Sequence, residues 1–195
     1  LKMILKKLLF AGLILIPFSL SAKVLVIGDS LAYPIVESFK KVMPTDGYFL
    51  ENTGLNEQLS LNWNNYINGL NLSDYSNVII SLGANDGISE KEIDNYQQKA
   101  VNVIKSIQGL NESAFITWVL PPALKDSKKE NAVSHVREAL NLACNASGIT
   151  CFDPAVVIGA EFVMSVNGVP VRAKDGIHYT PQGADLIVNE LVGIK

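Results

Sequence analysis

Histidine and cysteine are both scarce, with two of each in 195 residues. Neither has the spacing of a metal-binding motif, and a two-metal hydrolytic centre needs several His and carboxylate ligands close together. The first apolar strand carries no Asp-x-His element. Metal-dependent phosphoester chemistry is therefore disfavoured, and no metal or other cofactor is expected. Charge of one sign is also lacking. The formal net charge is −3, and Lys and Arg form no patch interleaved with aromatics, which argues against a nucleic-acid partner. Neither Gly-rich phosphate-binding fingerprint is present. No Gly-x-Ser-x-Gly elbow surrounds Ser30. Internal repeats, linkers and low-complexity stretches are absent.

The N-terminus is where apolar residues concentrate. Lys2, Lys6 and Lys7 precede a stretch from Leu8 to Leu20 interrupted only by Gly12, Pro17 and Ser19. Ser19-Leu20-Ser21-Ala22 supplies the small residues of a cleavage site. A basic start, a short apolar core and small residues together make a secretory signal peptide over 1–22; the stretch is short for a membrane span. An uncleaved anchor is the alternative, and neither reading makes 1–22 part of the fold. Residues 23–195 are then expected to form one exported domain, periplasmic and without stable membrane insertion. About 170 residues suffice to bury a core. In an oxidising compartment Cys144 and Cys151 can pair; the alternative is two buried free thiols.

Periodicity gives a regular alternation. Lys23 to Ile27 and Asn77 to Leu82 read as buried strands, with further strands at Tyr48–Glu51, Ala114–Leu120 and Ile149–Phe152. Helices are expected over Ala32–Val42, Lys91–Ile107, Glu130–Ala146 and Pro181–Leu191, while Leu59 to Leu70 is ambiguous between helix and loop. Strands alternating with helices imply a parallel sheet in an α/β domain. Ligands of such sheets sit beyond the carboxyl ends of the strands.

Three segments fall at that edge or in loops able to fold over it. Gly28-Asp29-Ser30 follows the first strand, Gly83-Ala84-Asn85-Asp86 follows Val78–Leu82, and Asp175-Gly176-Ile177-His178 precedes the last helix. Together they supply a hydroxyl, a side-chain amide, and an aspartate three residues before a histidine. A hydroxyl is a weak nucleophile at neutral pH unless a base adjoins it. Developing negative charge requires preorganised donors. Singly, each segment has a plainer reading: Asp29-Ser30 as a helix cap, Gly83 to Asp86 as a turn, and His178 as a structural histidine. His135 reads as a surface residue.

Taken jointly and in order, these segments resemble the blocks of the SGNH hydrolases, the GDSL esterase/lipase superfamily. Val26 to Leu31 matches the nucleophile block, Asn52-Thr53-Gly54 the second, Gly83 to Asp86 the third and Asp175 to His178 the last. The second block departs from the pattern, because Leu55-Asn56-Glu57 follows where another glycine is often found. The resemblance implies a three-layer α/β/α sandwich with a central parallel sheet, flavodoxin-like in arrangement. It further implies Ser30 as nucleophile, His178 as base, Asp175 as its orienting acid, and an oxyanion hole from the Ser30 and Gly54 N–H groups and the Asn85 amide.

Asp175 to Thr180 followed by Pro181-Gln182-Gly183, together with Trp118 to Pro122, is similar to exported members linked to O-acetylation of surface polysaccharides. The expected activity is thus an exported serine esterase acting on O-acetyl groups of an envelope glycan or another small ester. The periplasmic thioesterase/lysophospholipase branch, whose last block often ends in proline where Tyr179 stands here, is the alternative. So is O-acetyl transfer from the same site, since transfer differs from hydrolysis only in what resolves the acyl-enzyme.

Overall fold

Fully buried parallel strands read as continuous apolar runs, because both faces are covered. Two such runs form the middle of the sheet: β1 (Val24–Gly28) and β3 (Asn77–Ser81), with every residue buried. The computed structural model of the chain describes residues 23–56 and 61–194; the expected signal segment, 1–22, lies outside them. Beside the central pair lie β2 (Thr45–Phe49), β4 (Phe115–Val119) and β5 (Thr150–Phe152), in the order β2-β1-β3-β4-β5. All pairings in this sheet are parallel.

Side chains alternate across the strands. Leu25, Ile27, Val78 and Ile80 face one layer, packed with Trp63, Tyr96, Ile104 and Leu140. That layer holds α2 (Trp63–Asn68), α3 (Ile93–Leu110) and α4 (Ser127–Ser147). Val24, Val26 and Ile79 face the other, against Ile35, Phe39, Ile187 and Val188. It holds α1 (Ala32–Phe39) and α6 (Pro181–Val192), with the short α5 (Ala155–Ile158) beside them. The result is the expected three-layer α/β/α sandwich. A two-stranded hairpin, β6 (Ser165–Val166) and β7 (Val169–Pro170), precedes the last block.

Several boundaries differ from the sequence reading. The second strand begins at Thr45 rather than Tyr48, since it is a half-exposed edge strand whose Asp46 and Gly47 carry no apolar signal. The ambiguous stretch contains α2, started by Asn62, whose side chain accepts from the Asn65 N–H. α4 begins at Ser127 rather than Glu130, because Asp126 caps it by accepting from the Lys128 and Lys129 N–H groups. Cys144 and Cys151 form a disulfide with Cα atoms 5.8 Å apart, stitching the end of α4 to the edge strand β5. Among the described residues, no helix is long and apolar enough to cross a membrane.

Candidate active site

The order of the sheet locates the site. The chain runs from β1 outward to β2, then returns to place β3 on the other side of β1. At such a switch point the loops leaving neighbouring strands diverge and open a crevice. Ser30 leaves β1 there, and Asn85 leaves β3. Strand β1 ends against the backbone of β3 so closely that a Cβ on Gly28 would lie 2.0 Å from the Ser81 carbonyl oxygen. Asp29 is buried; its Oδ1 accepts from the Leu31 N–H at 2.9 Å and sets the turn that exposes Ser30. Burial, reinforced by the nearby Asp86 charge, pushes the Asp29 carboxyl up to about 7 against the pull of its backbone hydrogen bonds.

The last block folds over this crevice. Ser30 Oγ lies 2.9 Å from His178 Nε2, and His178 Nδ1 lies 2.7 Å from Asp175 Oδ2. With a carboxylate at Nδ1, that nitrogen carries the proton and Nε2 is free to accept from the Ser30 hydroxyl. Asp175 is itself held by its Oδ1, which accepts from the Ile177 and His178 N–H groups. Desolvation is the largest single influence and raises its carboxyl, but the His178 ring and these two N–H groups together outweigh it and bring the carboxyl down to about 2. Asp175 is therefore ionised throughout the neutral range. Residues from opposite ends of the chain thus form a continuous relay.

The three expected oxyanion donors are supported differently. Among the described residues, neither the Ser30 nor the Gly54 N–H has a hydrogen-bond partner. Asn85 donates one amide hydrogen to the Thr53 carbonyl at 3.0 Å and, among the described residues, has no partner for the other. Thr53 C=O and Gly54 N–H belong to one planar peptide, so this bond fixes the direction of the Gly54 donor. Thr53 is buried and pinned in turn: its hydroxyl donates to the Leu50 carbonyl at 2.6 Å and accepts from Trp63 Nε1 at 3.2 Å.

Two residues outside the expected set hold the site together. Asp86, read from sequence as part of a turn, is a buried acceptor. Its carboxylate takes the Leu55 N–H at 2.7 Å, the Asn56 N–H at 3.4 Å and the Tyr96 hydroxyl at 2.6 Å. A Cβ on Gly54 would lie 2.2 Å from Asp86 Oδ1, so the glycine makes room for this carboxylate. Arg172, buried beneath the last block, donates to the carbonyls of Ala123 at 2.7 Å and Ile177 at 2.8 Å. Its guanidinium lies over the Phe162 ring at 4.9 Å. A single Arg before the block gave no sequence signal; Asp86 stood inside the third block, but the Leu55 and Asn56 N–H groups it binds lie about thirty residues earlier. Among the described residues, no three His, Cys, Asp or Glu side chains gather as a metal-holding group. His135 sits apart from the relay, its Nδ1 at 3.1 Å from the Ile88 carbonyl oxygen.

A family model described as "Protein of unknown function (DUF459)" matches residues 23–193. No curated protein matches in sequence. Among solved structures, an aryl esterase of M. smegmatis is 17% identical, with a TM-score of 0.63 over 88% of this chain and 97% of that one. A carbohydrate acetylesterase from Sinorhizobium meliloti is 16% identical, with the same TM-score of 0.63 over 88% and 97%. A peptidoglycan O-acetylesterase is 16% identical, with a TM-score of 0.58 over 77% of this chain and 45% of that one. At these identities the likeness is one of fold, and the fold is that of the SGNH hydrolases.

Proposed function

The chain belongs to the family described as Protein of unknown function (DUF459), and we propose that it is an exported serine esterase that removes acyl groups, acetyl above all, from a cell-envelope glycan. The observation that carries the reading is the relay of 2.9 and 2.7 Å from Ser30 through His178 to Asp175. As Ser30 Oγ bonds to the ester carbonyl carbon, its proton passes to His178 Nε2. Asp175 stabilises the imidazolium and holds its orientation. The oxyanion is met by the Ser30 and Gly54 N–H groups and the second amide hydrogen of Asn85. Collapse breaks the bond to the alcohol oxygen, which takes the proton from Nε2. Water, or a sugar hydroxyl in a transferase, then gives its proton to His178, attacks the acyl-enzyme and restores the Ser30 hydroxyl.

Export and a periplasmic location are supported by the Lys-rich start and apolar stretch of 1–22, and by the Cys144–Cys151 disulfide. The glycan is supported by the sugar-ester substrates in the names of two structural neighbours. The test is the mature protein on a short-chain acyl ester, with and without a glycan acceptor. Ser30→Ala is expected to abolish turnover while circular dichroism stays native. Wild-type activity in a folded Ser30→Ala protein would refute the mechanism. Acyl product on the acceptor would identify a transferase, and free acid alone a hydrolase.

A further inference from the structure

Among the described residues, two grooves adjoin the relay, and of these two the groups that must handle the leaving oxygen line one. The first, about 480 Å³, is lined by Ser30, His178, Tyr33, Phe49 and Glu51, with Tyr179 among the others. The second, about 350 Å³, lies beyond Asn85 between Ala84, Leu124, Val133 and Ile177, and holds neither Ser30 nor His178. In ester cleavage the departing alcohol takes its proton from the base. Its oxygen must therefore sit at His178 Nε2, which places the alcohol in the first groove.

That groove has a distinct chemistry. Tyr33 and Phe49 are 52% and 39% exposed, although both are large aromatics. Their rings form a tilted pair with centroids 5.3 Å apart, presenting an open apolar surface beside the nucleophile. Glu51, exposed on the same lining, supplies a carboxylate that only accepts hydrogen bonds. The volume falls within the ~300–1,000 Å³ usual for small-molecule sites. An apolar ring face beside a hydroxyl acceptor matches a pyranose, which has one face of C–H groups and an equator of O–H donors. An acidic ligand would meet the Glu51 charge.

We infer that Tyr33 and Phe49 form the platform for the sugar ring of the leaving alcohol, with Glu51 accepting from its hydroxyls, so that the substrate is a neutral or amino-sugar ester. This rests on the esterase reading above. The test compares three acetyl esters: vinyl acetate, whose leaving group is too small to reach the platform, a mono-acetylated methyl glucopyranoside, and phenyl acetate. In Tyr33→Ala and in Phe49→Ala, the kcat/KM ratio of sugar ester to vinyl ester is expected to fall about tenfold, the scale of one lost aromatic contact. Phe49→Trp should restore it. A ratio within twofold of wild type in both variants would overturn the platform while leaving the esterase intact. A fall confined to phenyl acetate would overturn it in favour of an aryl alcohol. Wild-type protein inactive on all three esters would overturn the esterase reading, and the platform with it.

Discussion

Asp86→Ala should expose how the oxyanion donors are kept in place. The carboxylate is buried and takes short hydrogen bonds from the Leu55 N–H at 2.7 Å and the Tyr96 hydroxyl at 2.6 Å. Deleting it strips these two donors of their short bonds, and the Asn56 N–H of a longer one at 3.4 Å, each short bond costing about 1–3 kcal/mol where water cannot reach the donor. Tyr96 is fully buried and belongs near the top of that range. Leu55 is half-buried and belongs near the bottom. Relief of the repulsion that raises Asp29 offsets part of the loss. The sum is a destabilisation of about 2–4 kcal/mol, beyond the ~0.5–2 kcal/mol of a lost helix cap. Activity should fall as well, because the loop presenting Gly54 is no longer pulled against the third block. Preorganisation acts on the transition state, so kcat should drop by about 10–10²-fold with KM little changed. Urea unfolding gives the first quantity and initial rates on a short acyl ester the second. A double-mutant cycle with Tyr96→Phe should return a coupling of about 0.5–3 kcal/mol. A loss below ~1 kcal/mol with kcat intact would refute the reasoning and return Asp86 to the role of a turn residue.

Asn85→Ala should cost more activity than Asp86→Ala: about 10²–10³ in kcat with little change in KM. A change in KM alone would make Asn85 a substrate contact. Asp29 gives a pH dependence of definite sign. Its folded value of about 7 exceeds the ordinary 3.8, so its contribution is full below pH ~4 and is lost as pH rises to ~7, about 4 kcal/mol at most. Asp29→Asn should therefore gain stability relative to wild type between pH 4.5 and 8 in denaturant titrations, and a pH-independent difference would refute this. Thiol titration of the unfolded, unreduced protein should find no free cysteine, and reduction should cost about 2–3 kcal/mol without altering kcat; two titratable thiols would end that expectation.

What could be read from sequence divides by the range of the interaction responsible. Val24 to Ile27 and Val78 to Ile80 announce their strands because burial on both faces leaves no polar position. Ser30, Asn85 and His178 are legible because each follows or precedes such an element with its chemistry intact. The edge strand β2 was displaced by three residues, since half its positions face water and Asp46 is held there by Lys23. The cap of α4 was available in Asp126-Ser127-Lys128-Lys129, yet the apolar period begins later and pulled the boundary inward. The helix α5 and the β6–β7 hairpin are too short to show a period at all. Asp86 and Arg172 were illegible for another reason. Each has one partner far along the chain, 31 residues away at Leu55 and 49 away at Ala123, and no local pattern encodes such a contact.

The Arg172 guanidinium ties the last block to the loop after β4 by hydrogen bonds to two main-chain oxygens, those of Ile177 and Ala123. A backbone carbonyl is present whatever side chain the residue carries. The anchor is thus blind to sequence at the positions it grips. Ile177 and the neighbouring Leu124 line the groove beyond Asn85, where a change of side chain alters which molecules fit. Such changes leave the two carbonyls, and so the seat of His178, where they are. The arginine itself has no such freedom, because lysine lacks the planar fork that spans two oxygens. The chain can therefore drift toward new esters through residues 124 and 177 without rebuilding its base, provided position 172 does not move.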